Sequence, residues 1–520
     1  MKTLRKLLNG LEYEALGEVD YSVEIEKITY DSNEVWGGTL FCCLCGTRSN
    51  GHAFIDEVIR KGATVIVLSD ESYLKRTYIG IQLIKVSDTR KALSLISANF
   101  WDNSSDRMHL IGVTGTNGKT SVAHYIQELM QNNNNEIGLL GTTGIQVGKE
   151  KIDYKIKTST TPDPNELHEL FNIMEKEYGV KDVVMEATSH ALAYDKLEGC
   201  NFDIGIFTNF TQDHLDFHKT MEEYLAAKLK LMRQCKAGII NADSDVASDF
   251  INACNGKVLT YSIDKASDFQ ARNVRYNFSS VEFDLQIQEQ LHHFIVPVPG
   301  KFTVYNALAA IIACLEKGMS ASEVKCKMEL LIGVPGRMQM IKNNLDINII
   351  VDYAHTPDSL QNILSSVKEF INGSLITVAG CGGNRDRNKR PIMGMIAYEM
   401  SDLFIATSDN PRNEYPDHII IEMLSKVSEA MLSEESIAAR DTRKVMILPN
   451  RREAIFTAIS KAEHGDSVVI AGKGHESYQE LRNKVRLDFD DCCEAENIVK
   501  IIQNEDSGKD VIKNKSQRLF

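Results

Sequence analysis

Short apolar runs separated by amphipathic stretches recur along almost the whole chain. Near the start, residues 40–44, 64–68 and 81–86 have the length and composition of buried strands. Residues 54–61 and 89–100 space their apolar positions as helices do. A polar break, Trp101-Asp-Asn-Ser-Ser-Asp106, follows. The rhythm resumes with strand-like runs at 108–113, 182–186, 202–207 and 238–241, with helical patterns between them. Apolar strands alternating with helices predict right-handed crossovers and a mainly parallel sheet. Between about 268 and 300 the period changes to two. Val281-Glu-Phe-Asp-Leu-Gln-Ile287 alternates cleanly and an apolar run at 294–298 follows, which predicts a β-hairpin or small antiparallel sheet. Beyond Pro335-Gly336, runs at 347–351, 375–379, 403–407, 445–448 and 467–471 alternate with helical patterns such as 359–371 and 452–462. That is the pattern of a doubly wound, Rossmann-like unit, whose ligands gather at the carboxyl ends of its strands. The expected fold class is therefore α/β in three domains: a small α/β domain over 1–103, a central domain over 107–335 and a doubly wound domain over 336–500. A polar tail occupies 501–520.

Composition narrows the class. A chain of 520 residues has the length of about three domains, and 43% hydrophobic with 25% charged residues is ordinary for a soluble protein. No apolar run reaches the roughly 18 residues that cross a bilayer. Residues 1–9 lack the sustained apolar region of a signal peptide, so a cytoplasmic location is expected. A net charge of −14 with both signs interspersed argues against nucleic acid as a partner, and a monomer is expected. Of eleven cysteines, Cys42, Cys43 and Cys45 cluster and Cys492 adjoins Cys493, but none has a matching pair at zinc-ligand spacing. Reduced thiols are expected.

The candidate chemistry begins at Gly112-Val-Thr-Gly-Thr-Asn-Gly-Lys-Thr120, between a strand-like run and a helical one. A glycine loop opening a helix turns backbone N–H groups toward an anion; a lysine then spans the outer phosphates and a hydroxyl binds Mg²⁺. The strict phosphate-loop spacing wants glycine five residues before Gly118, where Val113 stands, so this is an unusual subtype. Two further polar clusters follow predicted strands. Asp182-Val-Val-Met-Glu186 ends in a carboxylate, where a second Mg²⁺ ligand belongs. Phe207-Thr-Asn-Phe-Thr-Gln-Asp-His214 ends in Asp and His. Alone, each is weak; together with the loop they describe a metal–nucleotide site.

Six segments in order, Gly115-Thr-Asn-Gly-Lys-Thr120, Met185-Glu-Ala-Thr-Ser-His190, Thr208-Asn-Phe-Thr-Gln-Asp-His214, Tyr224-Leu-Ala-Ala-Lys228, Val334-Pro-Gly-Arg337 and Asp352-Tyr-Ala-His-Thr356, resemble the signatures of the Mur ligases. These are ATP-dependent amide-forming enzymes of peptidoglycan synthesis. The resemblance runs from about residue 27 to 495 and, within the family, points to members that add the third residue of the peptide. It implies that ATP phosphorylates the D-Glu γ-carboxylate of UDP-MurNAc-L-Ala-D-Glu, that an amine attacks the acyl phosphate, and that phosphate leaves. Gly115, Thr116, Asn117, Gly118, Lys119, Thr120 and Ser121 are implied to hold ATP, with Asn306, on a helix expected over 305–314, meeting the nucleotide. Arg337 and Asp352 are implied to reach the γ-phosphate and the ribose when the domains close. Thr120, Glu186, His214 and Lys228 are the implied Mg²⁺ ligands, and Lys119, Lys228, His214, Glu186 and Arg337 the catalytic set. By pattern alone Lys228 reads as a surface lysine on a helix; by resemblance it matches a lysine carbamylated with CO₂, N6-carboxylysine.

Ser32, Thr47, Arg48 and Ser49 match family positions for the uridine end of the nucleotide sugar, and Ser159, Thr160, Thr161, Thr188, Tyr194 and Lys196 match positions around the sugar and peptide. Asp409, Asn410, Pro411 and Arg412 form a sequence similar to that of members adding meso-diaminopimelate, where Arg412 grips the distal carboxylate by a bidentate pair. Arg385, Gly472 and Glu476 match the remaining contacts, Glu476 receiving the distal ammonium. L-lysine or another diamino acid as the amine, or a non-catalytic nucleotide-binding paralogue, are the alternatives. The chain departs from the family pattern at Asn33 and Lys196 (Arg is usual), Tyr194 (Gln), Gln339 (Glu) and Asn384 (Asp). Lysine for arginine loses the planar fork.

Overall fold

In this computed structural model, which describes residues 1–46, 49–132, 135–158, 160–371, 373–434 and 444–506, the unbroken Val/Ile/Leu runs become the interiors of three main sheets. The first has five strands in the order Glu14–Ala15, Gln82–Lys85, Ala63–Leu68, Thr39–Cys42, Lys27–Thr29, parallel except at its Glu14–Ala15 edge. The helix Thr89–Phe100 closes it, started by Asp88, whose carboxylate accepts from the amides of Arg90 and Lys91.

The central sheet has eleven strands. Seven are parallel neighbours, in the order Ile137–Gly141, Asp182–Glu186, His109–Thr114, Phe202–Phe207, Cys235–Asn241, Lys257–Ser262, Phe269–Tyr276. The alternating segment does form antiparallel strands, Phe269–Tyr276, Val281–Ile287 and Gln290–Val296, but they are not a separate unit. Tyr261 pairs with Phe269, so the hairpin extends the edge of the parallel sheet.

Three glycines, Gly112, Gly205 and Gly238, are register partners across adjacent strands of this sheet. Side chains of the helix Met221–Arg233 and of two cysteines fill the space. A Cβ on Gly112 would lie 2.8 Å from Leu231 Cδ1, one on Gly205 3.0 Å from Met232 Cε, and one on Gly238 2.9 Å from Cys254 Sγ. The helix therefore packs close to the sheet floor.

The third sheet runs Gln339–Met340, Asn348–Asp352, Ser467–Ala471, Leu375–Ala379, Leu403–Ala406, Val445–Ile447, parallel except for the first strand. Its strand order reverses direction in sequence, as the doubly wound pattern predicts. No helix among the described residues is long and apolar enough to cross a membrane.

Candidate active site

The strand His109–Thr114 delivers the chain into the phosphate loop, and the helix Lys119–Met130 leaves it. Gly115 (φ 147°) and Gly118 (φ 84°) adopt conformations that side chains rarely take. There is also no room: a Cβ on Gly115 would lie 1.9 Å from Thr208 Oγ1, and one on Gly118 2.5 Å from Asn306 Oδ1. Asn306 rides on the helix Lys301–Glu316 and so leans over the loop. Residues after the strand Phe202–Phe207 stitch the loop in place. Thr116 N donates to Asn209 O (2.9 Å), Asn117 N to Asn209 Oδ1 (2.8 Å), and Thr208 Oγ1 to Asn117 O (2.6 Å). The hydroxyls of Thr116 and Tyr224 are 3.2 Å apart. Lys119 folds back, its Nζ donating to the carbonyls of Gly115 (2.9 Å) and Thr116 (2.8 Å). Thr120 Oγ1 donates to Glu186 Oε1 at 3.0 Å, and that buried carboxylate also accepts from Thr142 N at 2.8 Å. Ser121, next in the first turn, is buried.

Lys228 is not on the surface. It is 1% exposed, and its Nζ donates to Gly115 O at 2.7 Å. It shares a helix face with Leu231 and Met232, so the face that meets the glycine floor carries the amine to the underside of the loop. Burial, with Lys119 nearby, holds its pKa well below that of an ordinary lysine. His214 takes a left-handed conformation (φ 54°) at the start of the short helix Leu215–His218. Its Nε2 lies 3.3 Å from Asp213 Oδ2, and its ring crosses that of His190 edge-on, centroids 4.8 Å apart. Burial pulls its pKa down to about 3, Lys119 and Lys228 adding to the effect against Asp213. Thr120, Glu186, His214 and Lys228 thus surround the loop as a hydroxyl, a carboxylate, a neutral imidazole and a suppressed amine.

The third domain reaches this site. Arg337 Nη2 donates to Thr120 Oγ1 at 3.4 Å, and its guanidinium covers the Tyr353 ring at 4.4 Å. Asp352 ends the strand Asn348–Asp352, is buried, and accepts from Met338 N at 2.7 Å. Burial raises its pKa, with Arg337 opposing. A residue not singled out from the sequence, Asp358, lies in the first turn of the helix Pro357–Lys368 and accepts from Asn117 Nδ2 at 2.5 Å. As a first-turn carboxylate it carried only a helix-start signal.

At the carboxyl ends of the third sheet, two loops meet. Asn410 Nδ2 donates to Glu476 Oε2 (2.6 Å), which also receives Lys473 Nζ (3.2 Å). Lys473, also missed, is fully buried. Asp409 is buried, and its Oδ2 lies 2.6 Å from where a Cβ on Gly472 would stand. Arg412 (φ 50°) donates through Nη1 to Gly383 O at 2.9 Å, and its Nε lies 3.3 Å from Glu480 Oε2. Arg412 Nη1 and Arg385 Cγ flank Gly382, 3.0 and 3.7 Å from its Cβ position, and Pro411 O abuts Gly383. The expected amino-acid residues are therefore brought together, with Glu480 as an unforeseen carboxylate beside Arg412.

The remaining candidates separate into two groups. Ser32, Ser49, Tyr194 and Lys196 line a cleft of about 600 Å³ between the first two sheets, with Tyr30, Arg90, Lys157 and Asp163. Lys196 Nζ pairs with Asp163 at 2.6 Å, and Arg90 covers the Tyr194 ring at 4.1 Å. Thr160, Thr161 and Thr188 lie instead beside Glu186: Thr161 Oγ1 donates to Glu186 O (2.8 Å) and lies 3.0 Å from Thr188 Oγ1, and Thr160 Oγ1 is 3.3 Å from Thr142 Oγ1. Thr47, Arg48 and Ser159 lie outside the described residues, as does the tail from 507. Among the unusual positions, Asn33 lines the cleft, Gln339 Oε1 accepts from Gly336 N (2.7 Å), and left-handed Asn384 (φ 53°) accepts from Asn413 N (3.0 Å).

Three family profiles match in order: "Mur ligase family, catalytic domain" over 24–101, "Mur ligase middle domain" over 113–314 and "Mur ligase, glutamate ligase domain" over 336–474. The chain is 41% identical over 503 residues to the UDP-N-acetylmuramoyl-L-alanyl-D-glutamate--2,6-diaminopimelate ligase of Clostridium tetani, covering 96% of this chain and 99% of that protein. It is 40% identical over 490 residues to the corresponding ligase 1 of Clostridium acetobutylicum, covering 94% and 97%. A solved UDP-N-acetylmuramoyl-L-alanyl-D-glutamate--2,6-diaminopimelate ligase superposes with a TM-score of 0.68 at 30% identity, over 96% of this chain and 99% of that one. MurF from Acinetobacter baumannii, 17% identical with a TM-score of 0.59 over 90% and 95%, shares the fold. By its three consecutive profile matches and its full-length relatives, the chain belongs to the Mur ligase family.

Proposed function

We propose that the protein is an ATP-dependent ligase of peptidoglycan precursor synthesis that joins meso-2,6-diaminopimelate to the D-Glu γ-carboxylate of UDP-MurNAc-L-Ala-D-Glu. The observation that carries this reading is the shared acceptor under the phosphate loop. Lys119 and Lys228 both donate to Gly115 O, at 2.9 and 2.7 Å, in a buried site. Burial first, and the neighbouring Lys119 second, hold the Lys228 amine well below the usual lysine range, which favours its neutral form. A neutral amine is what adds CO₂, and the carbamate product is an anionic oxygen ligand.

In the reaction, a γ-carboxylate oxygen attacks the γ-phosphorus of ATP and ADP leaves. The amine then attacks the acyl carbon, and phosphate departs as the amine gives up a proton. Lys119, freed from its loop carbonyls, takes the outer phosphates, and Arg337 meets them from the third domain. Asn306 and Asp352 hold the nucleoside. The Thr120 hydroxyl, Glu186, His214 and the Lys228 carbamate present hard oxygens and one imidazole, a donor set suited to Mg²⁺, which offsets charge on the transferring phosphate. Residues 1–103 with the adjoining cleft hold the nucleotide sugar through Ser32, Ser49, Tyr194 and Lys196. Thr160, Thr161 and Thr188 orient its peptide beside Glu186, and Arg385, Arg412, Asn410 and Glu476 hold the diamino acid. ATP and a nucleotide-linked substrate place the reaction in the cytoplasm, with the protein working as a monomer.

One observation favours a second amine. Glu480 already faces Arg412, and a carboxylate there weakens the attraction for a second one, which suits L-lysine. The deciding assay measures phosphate release from ATP and UDP-MurNAc-L-Ala-D-Glu with each amino acid. Release with diaminopimelate above the no-amine control supports the first reading. Release with L-lysine alone replaces it, and silence with every amine indicates a nucleotide-binding protein without turnover.

A further inference from the structure

Arg451 is the first residue of the helix Arg451–Lys461, and its side chain is completely buried. It makes a bidentate ion pair with Asp491, Nε donating to Oδ1 at 2.7 Å and Nη2 to Oδ2 at 2.6 Å. Asp491, the first residue of the helix Asp491–Asp506, is also completely buried. The remaining reach of the guanidinium goes to main chain. Nη2 donates to Ala471 O at 3.0 Å and Nη1 to Ser408 O at 3.4 Å.

Those two carbonyls stand at or just past the ends of strands that are not neighbours. Ala471 ends the strand Ser467–Ala471, Ser408 follows the strand Leu403–Ala406, and Leu375–Ala379 runs between them. What comes next in each case is a loop placed above at the amino-acid end of the site: Asp409-Asn-Pro-Arg412 after Ser408, and Gly472-Lys-Gly-His-Glu476 after Ala471. The guanidinium spans the carboxyl ends of these strands from the root of one loop to the root of the other. Arg451 Nη2 is 3.9 Å from the Cβ position of Gly472, with Asp409 Oδ2 2.6 Å from the same point.

A buried ion pair is a poor device for stability, because desolvation offsets its attraction and apolar replacements are often as stable. A rigid planar fork is a good device for fixing distances between four oxygen acceptors. We propose that Arg451, oriented by Asp491, is a positioning residue that sets the spacing of the two loops gripping the diamino acid, and so sets the affinity for that substrate. The inference rests on the proposed function.

The test is a steady-state comparison of wild type, Arg451→Lys and Asp491→Asn, with KM measured separately for diaminopimelate, UDP-MurNAc-L-Ala-D-Glu and ATP. Lysine keeps the charge without the fork, and asparagine keeps the shape without the charge. In both variants the diaminopimelate KM is expected to rise about tenfold or more, while the other two KM values stay within about twofold and kcat at saturating amine within about threefold. A purely structural role would raise all three KM values together. That result, an unchanged diaminopimelate KM in folded variants, or failure of both variants to give a cooperative melt would each overturn the inference. Wild-type silence with diaminopimelate would overturn the proposed substrate instead, and it is read before any variant is made.

Discussion

Lys119 and Lys228 donate to one carbonyl oxygen, that of Gly115. The first belongs to the phosphate loop's own helix and the second to Met221–Arg233, so two helices converge on a single acceptor. Lys228→Ala is expected to lower turnover by about a hundredfold or more, the scale of losing one preorganised charge in a water-poor site. Short carboxylic acids added to this variant are expected to restore part of the activity by supplying the missing oxygens. The measurement is phosphate release with and without formate or acetate; wild-type turnover in the variant would remove the carbamate role.

Arg412 and Glu480 make opposite predictions about one substrate. Arg412→Ala is expected to raise the diaminopimelate KM by roughly ten- to a hundredfold, the scale of a lost charge-assisted hydrogen bond. Glu480→Gln removes the competing carboxylate and is expected to lower that KM several-fold. Turnover with L-lysine, which has no distal carboxylate, should respond weakly to both. Competition assays with the two amino acids check the split, and a rise in diaminopimelate KM in Glu480→Gln would contradict it.

Asp358 ties the third domain to the phosphate loop through Asn117 Nδ2 at 2.5 Å. Its carboxyl is pushed up by burial, with the hydrogen bonds from Asn117 and Asn362 opposing. Asp358→Ala is expected to release this contact. Small-angle scattering of the nucleotide-free variant should give a larger radius of gyration, and the ATP KM should rise about fivefold or more, as for a lost hydrogen bond to a charged group. Equal radii for the two proteins would show that Arg337 and the linker hold the arrangement without it.

His168, on the helix Pro164–Tyr178, is fully buried, and neither ring nitrogen has a hydrogen-bond partner among the described residues. Burial pushes its pKa down to about 4, against about 6.5 in an unfolded chain. The folded state holds the ring neutral, so unfolding takes up a proton between these two values. The stability it contributes is present above pH 6.5 and is lost as the pH falls toward 4. His168→Leu is expected to flatten that limb, reducing the slope by about 1.4 kcal/mol per pH unit. Thermal melts at several pH values between 7 and 5 compare the two; parallel curves would mean that other histidines set the acid limb.

The strands Asp182–Glu186, Phe202–Phe207, Leu375–Ala379 and Ser467–Ala471 match the expected bounds, because each is a short, mostly apolar run set off by polar or glycine residues at or beside its ends. Ile137–Gly141 and Lys257–Ser262 were not legible. The first carries two glycines, and Gly141 is small because its Cβ would lie 2.5 Å from Glu186 Oε1, a tertiary reason invisible locally. The burial of Lys228 was hidden in the same way. In Glu-Glu-Tyr-Leu-Ala-Ala-Lys its charge places it outside, and only the sheet floor beneath it brings it in. Asp358, Glu480 and Arg451 act on partners far away in sequence, 241 residues in the case of Asp358 and Asn117. No local period or propensity encodes such a pairing.

Gly112, Gly205 and Gly238 form a groove by omission, and the helix of Lys228 lies in it. How far the amine extends is therefore decided on the floor of the sheet rather than at its rim. A single methyl added to Gly112 or Gly205 would act like a shim under a lever, pressing on Leu231 or Met232 and lifting the far end away from Gly115. The chemistry would fail before the architecture did, and a search for the fault among the polar residues would look in the wrong place.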